Sequence, residues 1–395
     1  MTTCLFIFFS DLRINDNTGL LYAYTNFDII IPCFIFNKTQ IKSKYSSQHA
    51  IDFMTYHISL LNKSMHYKLN IYYANSTKCN TCTSSGDIID VIYNIYVKHK
   101  FSMIIFNRDY SPFSVYREKL IHNFSKKYKI NVMMFDDKLL YPINHILSSS
   151  QTNYMKFTPF YNKSLLLKPK KTINYKYNFN KFILVKTKYN YIIPVIMVNN
   201  TSPIYIIKKN DIVSPYIRFG IYSVRDIYYK YHSKRRGLLW RDFYYNIIYN
   251  NPRLINQYDD KKIWIDNKSY HKAFIDGKTG YDIIDYAVNL LKSTGFIDNR
   301  LRMIIASFYC KNLLLNWKNG MIWMGSYLID HDYTLNLCNW LWITGLAPFS
   351  QPYFRIINPI TQQKKYYRNI PSTSYDKIID IQASVTKYLN FMKNV

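Results

Sequence analysis

Five short apolar runs punctuate the first 135 residues: Leu5–Phe9, Ile29–Phe36, Ile71–Tyr73, Met103–Phe106 and Val132–Phe135. Longer segments of mixed polarity and helical length separate them. Near-continuous apolar runs mark strands buried on both faces, so this rhythm predicts βα units and a parallel, Rossmann-like sheet over residues 1–135. Ligands of such sheets sit beyond the carboxyl ends of strands, making SDLRINDN (10–17) and NRDYSPF (107–113) candidate site loops. Neither is a glycine-rich phosphate loop. Residues 136–205 form a linker: YMKFTPFYNKSLL (154–166) predicts a turn entering a helix, and the basic KPKKTINYKYNFNKF a surface excursion.

From 206 to 395 the apolar spacing becomes helical. A Ser-Pro start opens 214–232. Residues 238–251 repeat apolar positions until Pro252, 278–295 is bounded by turns, and Gly295 and Asp298 introduce one long helix through Trp317. On it Asn299, Arg302, Met303 and Ala306 share a face, which suits either a cavity wall or a solvated Arg beside a core Met. Asp330 and Asp332 flank His331 in a loop and could bind metal, hold ribose hydroxyls or pair with Arg302. Trp340 and Trp342, two apart, cannot share a helical face.

Charge and composition sharpen this. The net charge is +28, from 52 Lys plus Arg against 24 Asp plus Glu. A polyanionic partner fits, although abundant Lys, Asn, Ile and Tyr also suit AT-rich coding drift. Arginine escapes that drift: three of 13 precede residue 200 and ten follow it, as do all six tryptophans. Chemistry therefore belongs in the second half. Six scattered cysteines make no disulfide framework, and the lone Cys79–Cys82 pair lacks the partners a zinc site needs. Without a membrane-length apolar run or a basic leader, a soluble intracellular monomer is expected, in cytoplasm, nucleus or virion.

Ordered blocks from Phe9 to Asn358 resemble the photolyase and cryptochrome family: FFSDLRINDN, KFTPF, SPYIRFGIYSVR, LLWRDFYYNI, GKTGYDIIDYAVNLLKSTG, DNRLRMIIASF and PYFRIINP. The resemblance implies an α/β domain followed by an all-α domain holding FAD, and light-driven repair of cyclobutane pyrimidine dimers in DNA. It implies Ser214 on the phosphate side of FAD, and Arg302, Asp330, His331, Asp332 and Asn336 around the flavin ring. Trp340, Trp317 and Trp264 match an electron relay from the surface. Trp240 and Trp342 match the lesion-pocket walls, with Asn299 and Met303 as lesion contacts and Arg241, Arg300 and Arg355 toward DNA.

The departures are specific. Gly237 stands where cyclobutane-dimer enzymes carry a glutamate, Asn210-Asp211 where Thr-Ser is usual, and Asp298 in place of a histidine. Cys338-Asn339 replaces two glycines. Phe113-Ser114 replaces the Asn-Glu pair of folate-binding members, leaving the antenna chromophore open. A cryptochrome-like photosensor and a flavin-free, basic DNA-binding or packaging protein are the alternatives.

Overall fold

In a computed structural model of the protein, the described residues are 1–41, 47–74, 87–194, 203–204, 212–254 and 264–393. Cys79, Cys82, Asn210 and Asp211 lie outside them.

The five apolar runs become parallel strands β1 (Thr3–Phe8), β2 (Ile29–Asn37), β3 (Asn70–Ala74), β4 (Met103–Asn107) and β5 (Asn131–Phe135). Their order is β3-β2-β1-β4-β5. Alternate side chains feed two cores. On one face Phe6, Phe8 and Phe34 pack with α1 (Thr18–Asn26) and α2 (Gln48–Ser64). On the other Leu5, Ile7 and Ile104 pack with α3 (Asp87–Lys98) and α4 (Pro112–Tyr128). The first core also takes in Tyr216, Phe219 and Ile329 from the second half of the chain.

The linker carries α5 (Phe157–Leu165), as expected, but its second part is more than a surface excursion. Phe182 and Val185 are buried. Asn70 explains why: its side chain donates to Ile183 O and accepts from Val185 N, so the segment lies along the sheet.

The second half is helical: α6 (Ser214–Arg218), α7 (Val224–Lys230), α8 (Arg235–Asn250), α9 (Lys268–Asp276), α10 (Asp282–Thr294), α11 (Asn299–Ser307), α12 (Trp317–Gly325), α13 (Tyr333–Thr344), α14 (Pro359–Tyr366) and α15 (Ile381–Lys393). Two expected helices are broken. The 214–232 segment parts at Gly220, whose φ is +63° and where a Cβ would lie 2.2 Å from Ser10 O. Only glycine suits both the left-handed backbone and that approach to the N-terminal domain. The helix expected to reach Trp317 instead passes into a π-turn at Phe308–Asn312. Leu314 then turns left-handed (φ 53°), Leu315 bridges to Ile265, and Asn316 caps α12 by accepting from Lys318 N.

The loop SDLRINDN ties the two halves together. Arg13 and Arg225 grip Asp137, Arg225 at 2.7 Å, and Arg225 Nε also holds Asp16 at 2.8 Å. Burial acts to raise the Asp137 carboxyl, but the two guanidiniums outweigh it and bring it down to about 2. A folded pKa below the ~3.9 of an unfolded aspartate means this contribution is present above pH ~3.9 and is lost as pH falls through about 2. Asp137→Asn leaves two guanidiniums facing a neutral amide, and should destabilise the fold by about 3–5 kcal/mol in denaturant titrations at neutral pH. An unchanged midpoint would rule out that role.

Candidate flavin and DNA site

A cavity of about 600 Å³ opens between α6, α8, α11 and α13, closed on one side by the 328–332 loop. The face expected on α11 is there: Asn299, Arg302, Met303 and Ala306 all line it. Asp298 starts that helix, accepting from Arg300 N and Leu301 N, while Tyr367 donates to both its carboxylate oxygens. This cap gives the aspartate at that position a local purpose.

Arg302 and Asp330 form an ion pair, Nη2 to Oδ2 at 2.9 Å. Ser214, which the resemblance assigns to the phosphate side, donates to that same Asp330 oxygen at 2.6 Å. Asp330 Oδ1 is buried and has no partner among the described residues. Asp332 caps α13 through Leu335 N and takes a hydrogen bond from Tyr245. Burial would raise its carboxyl, but Lys138 and Arg218 hold it below the usual range. Asn336 lines the cavity and donates to Met321 O at 2.9 Å.

At the mouth, Trp240 stacks on Phe157 (3.6 Å, 9°) and meets Trp342 edge-on (6.5 Å, 81°). Trp340 and Trp342 both line the cavity, because it is broad enough to be reached from two helical directions. Arg300 and Arg355 are exposed beside it, Arg300 over the Tyr366 ring and Arg355 near Trp342. Arg241 differs from the expectation of a DNA contact. It is buried, donates to Lys138 O at 2.6 Å and lines the cavity floor. Its Nη2 has no partner among the described residues. Gly237 faces open space, with nothing within 4 Å of a Cβ placed there.

Trp317 and Trp340 are fully buried in the helical core, and Trp264 retains 9% exposure, so its contact with solvent is slight. The Ile265–Leu315 bridge brings Trp264 alongside the start of α12. Trp340 lies across Gly320, one turn beyond Trp317 on that helix.

A second cavity of about 620 Å³ lies at the sheet, lined by Phe34, Phe36, Asp109, Phe113 and Arg117 among others. The loop NRDYSPF thus does reach a cavity. His331 and Asp332 line both cavities, as does Arg218. Arg218 stood in the block SPYIRFG and could have been weighed there. Lys138, bonded to Asp109 at 2.8 Å and 3.9 Å from Asp332, carried no local signal because its partners lie across the domains.

Residues 4–174 match the family described as DNA photolyase, and residues 234–370 the FAD binding domain of DNA photolyase. A deoxyribodipyrimidine photo-lyase of Buchnera aphidicola is 31% identical over 91% of this chain and 84% of its own length. The chain belongs to the DNA photolyase family. The Escherichia coli photo-lyase is 42% identical over 33% of this chain and 28% of its own. A crystal structure of an archaeal photolyase from Sulfolobus tokodaii, with two FAD molecules, superposes with TM-score 0.82 at 27% identity over the full length of both chains. A Synechocystis cryptochrome (TM-score 0.78, 19% identity, 100% of this chain and 90% of that one) shares the fold. As a photolyase, the protein carries an FAD-binding domain and acts in DNA repair. Among the described residues no helix is long and apolar enough to cross a membrane.

Proposed function

We propose that this photolyase repairs cyclobutane pyrimidine dimers, drawing the lesion out of duplex DNA against FAD held in the 600 Å³ cavity. The observation that carries the reading is a cavity with unmet polar groups of both kinds: Asp330 Oδ1 wants a donor and Arg241 Nη2 an acceptor. Buried polar atoms are normally paired. A flavin ring edge and a pyrophosphate supply one partner each, so the residues fit FAD. Arg302, Asp330 and Asn336 would hold the ring side, and Arg241 the phosphates. Bound, reduced FAD supplies a light-activated electron to the dimer and takes it back after the ring opens.

The chain supplies the rest. Trp240 and Trp342 offer apolar walls for a flipped-out dimer of neighbouring pyrimidines, and Asn299 and Met303 sit beside them. Flipping costs a few kcal/mol, less at a damaged pair. Arg300 and Arg355 flank the mouth, where phosphates would pass. Trp340, Trp317 and Trp264 suit a relay that returns electrons to oxidised flavin.

The test is illumination of the reduced protein with dimer-containing DNA, followed by chromatographic assay of restored thymines. Persistence of dimers despite bound, reduced FAD rejects the reading. Trp340→Phe should abolish light-driven reduction of the oxidised flavin, read from its absorbance, while repair by chemically reduced protein continues. Photoreduction at the wild-type rate would exclude Trp340 from the relay.

The archaeal relative's two FAD molecules motivate a second assignment. The aromatic lining of the 620 Å³ cavity, which includes Phe113, suits a flat antenna chromophore, and Phe113-Ser114 replaces the pair used for folate.

A further inference from the structure

Tyr309 takes no part in the flavin or lesion site, yet it is completely buried and touches both an electron carrier and a base. The π-turn at Phe308–Asn312 carries it, and such turns re-aim side chains relative to an α-helix. Its ring meets Trp340 edge-on, centroids 5.9 Å apart at 88°. Gly320 makes the contact possible: a Cβ there would lie 2.4 Å from Trp340 Cη2 and 2.9 Å from Tyr309 Cδ1. On its far side, the Tyr309 hydroxyl lies 2.8 Å from His271 Nδ1 on α9. His271 is only half-buried, so its ring spans from the core to solvent.

The protonation states suit a directional bond. Burial lowers His271 below its ordinary 6.5, leaving a neutral imidazole at pH 7 whose Nδ1 can accept. Burial, reinforced by Cys310, pushes the Tyr309 phenol up, so the tyrosine donates and does not ionise by itself. A phenol surrenders an electron readily only when its proton leaves at the same time, and that needs a base within hydrogen-bond reach. An ordinary core tyrosine needs only a carbonyl or water for its hydroxyl. Edge contact with a relay tryptophan, together with a solvent-reaching imidazole, goes beyond that.

We propose that Tyr309 and His271 form a proton-coupled donor that branches from the tryptophan relay at Trp340. The step rests on the relay reading given under Proposed function. When light has drawn an electron from Trp340 into oxidised flavin, one electron passes from Tyr309 to the Trp340 radical cation. The O–H bond of Tyr309 breaks and its proton forms an N–H bond at His271 Nδ1. Neutral Trp340, a neutral tyrosyl radical and an imidazolium result, with charge and electrons conserved. The imidazolium can release a proton to solvent from Nε2, which keeps the hole on Tyr309 from returning at once.

Flash illumination of protein holding oxidised FAD, followed by transient absorption and electron paramagnetic resonance, tests this. A tyrosyl radical should grow in as the tryptophanyl radical decays, more slowly in D₂O, and ring-deuterated tyrosine should narrow its resonance. Tyr309→Phe and His271→Asn should each lose the tyrosyl signal and keep the tryptophanyl one. In the dark protein, Tyr309→Phe should also shift the His271 imidazole ¹⁵N resonance. Tryptophanyl radical with no tyrosyl radical in the wild-type protein overturns this step and leaves the relay standing. Flavin-bound protein that yields no amino-acid radical at all overturns the relay beneath it, and this step with it. An unmoved His271 resonance overturns the hydrogen bond on which the proton transfer depends.

Discussion

Gly237→Glu should raise the protein's affinity for dimer-containing DNA and its repair rate under limiting DNA by about 10- to 100-fold. Gly237 lines the cavity, one turn before Trp240 and Arg241 on α8. A Cβ there meets nothing within 4 Å, so a longer side chain enters open space without displacing a neighbour. As the third residue of α8, it also places a carboxylate where the helix dipole favours negative charge, with Lys234 and Arg241 one turn to either side. Hydrogen bonds to a charged acceptor contribute about 1.5–3 kcal/mol, which sets the size of the gain. Replacing a helical glycine stabilises the helix by a further few tenths to about 1 kcal/mol. Added negative charge should slightly weaken binding to undamaged DNA, so the discriminating measurement is the ratio of damaged to undamaged affinity. An unchanged ratio would mean that the lesion never approaches this part of α8.

Arg302→Leu should strip the protein of FAD. The substitution leaves Asp330 in place, 5% exposed, with Ser214 as its remaining hydrogen-bond partner among the described residues and one oxygen already unmet. Removing one member of a buried pair costs about 3–5 kcal/mol, and somewhat less here because the Arg302 side chain is 25% exposed. Since the pair lines the cavity, part of that penalty falls on flavin affinity, for which a loss of about 100-fold or more is expected. Flavin absorbance of the purified variant and a fluorescence titration with added FAD measure it. Arg302→Leu combined with Asp330→Asn should recover part of the loss, because no uncompensated charge then remains. Wild-type affinity in the single variant would place FAD elsewhere.

Much of the architecture could be read from the chain. Each of the five apolar runs became a strand, because a sheet covered on both faces leaves no polar alternation to confuse the pattern. The α11 face was legible for a similar reason: Asn299, Arg302, Met303 and Ala306 lie within two turns, where helical spacing alone decides which side chains share a face. What periodicity could not show was long-range. The break at Gly220 depends on Ser10, more than two hundred residues away, and the stop before Trp317 on a bridge to Ile265. The resemblance placed Arg241 toward DNA, next to Trp240 in the chain. One residue turns a helical side chain by about 100°, which carries Arg241 from the mouth to the floor. Lys138 and Tyr245 close on Asp332 from separate parts of the chain, and no local pattern links them.

The ion cluster of Arg13, Asp16, Asp137 and Arg225 bears on how the chain comes apart. It lies where the sheet-bearing half meets the helices, and Tyr216, Phe219 and Ile329 complete a core whose other members belong to the strands. Neither half can melt while the other keeps its shape, so calorimetry should record one endotherm. Dividing the gene between the halves would yield two fragments with stranded charges and open cores, recoverable only when they are expressed together.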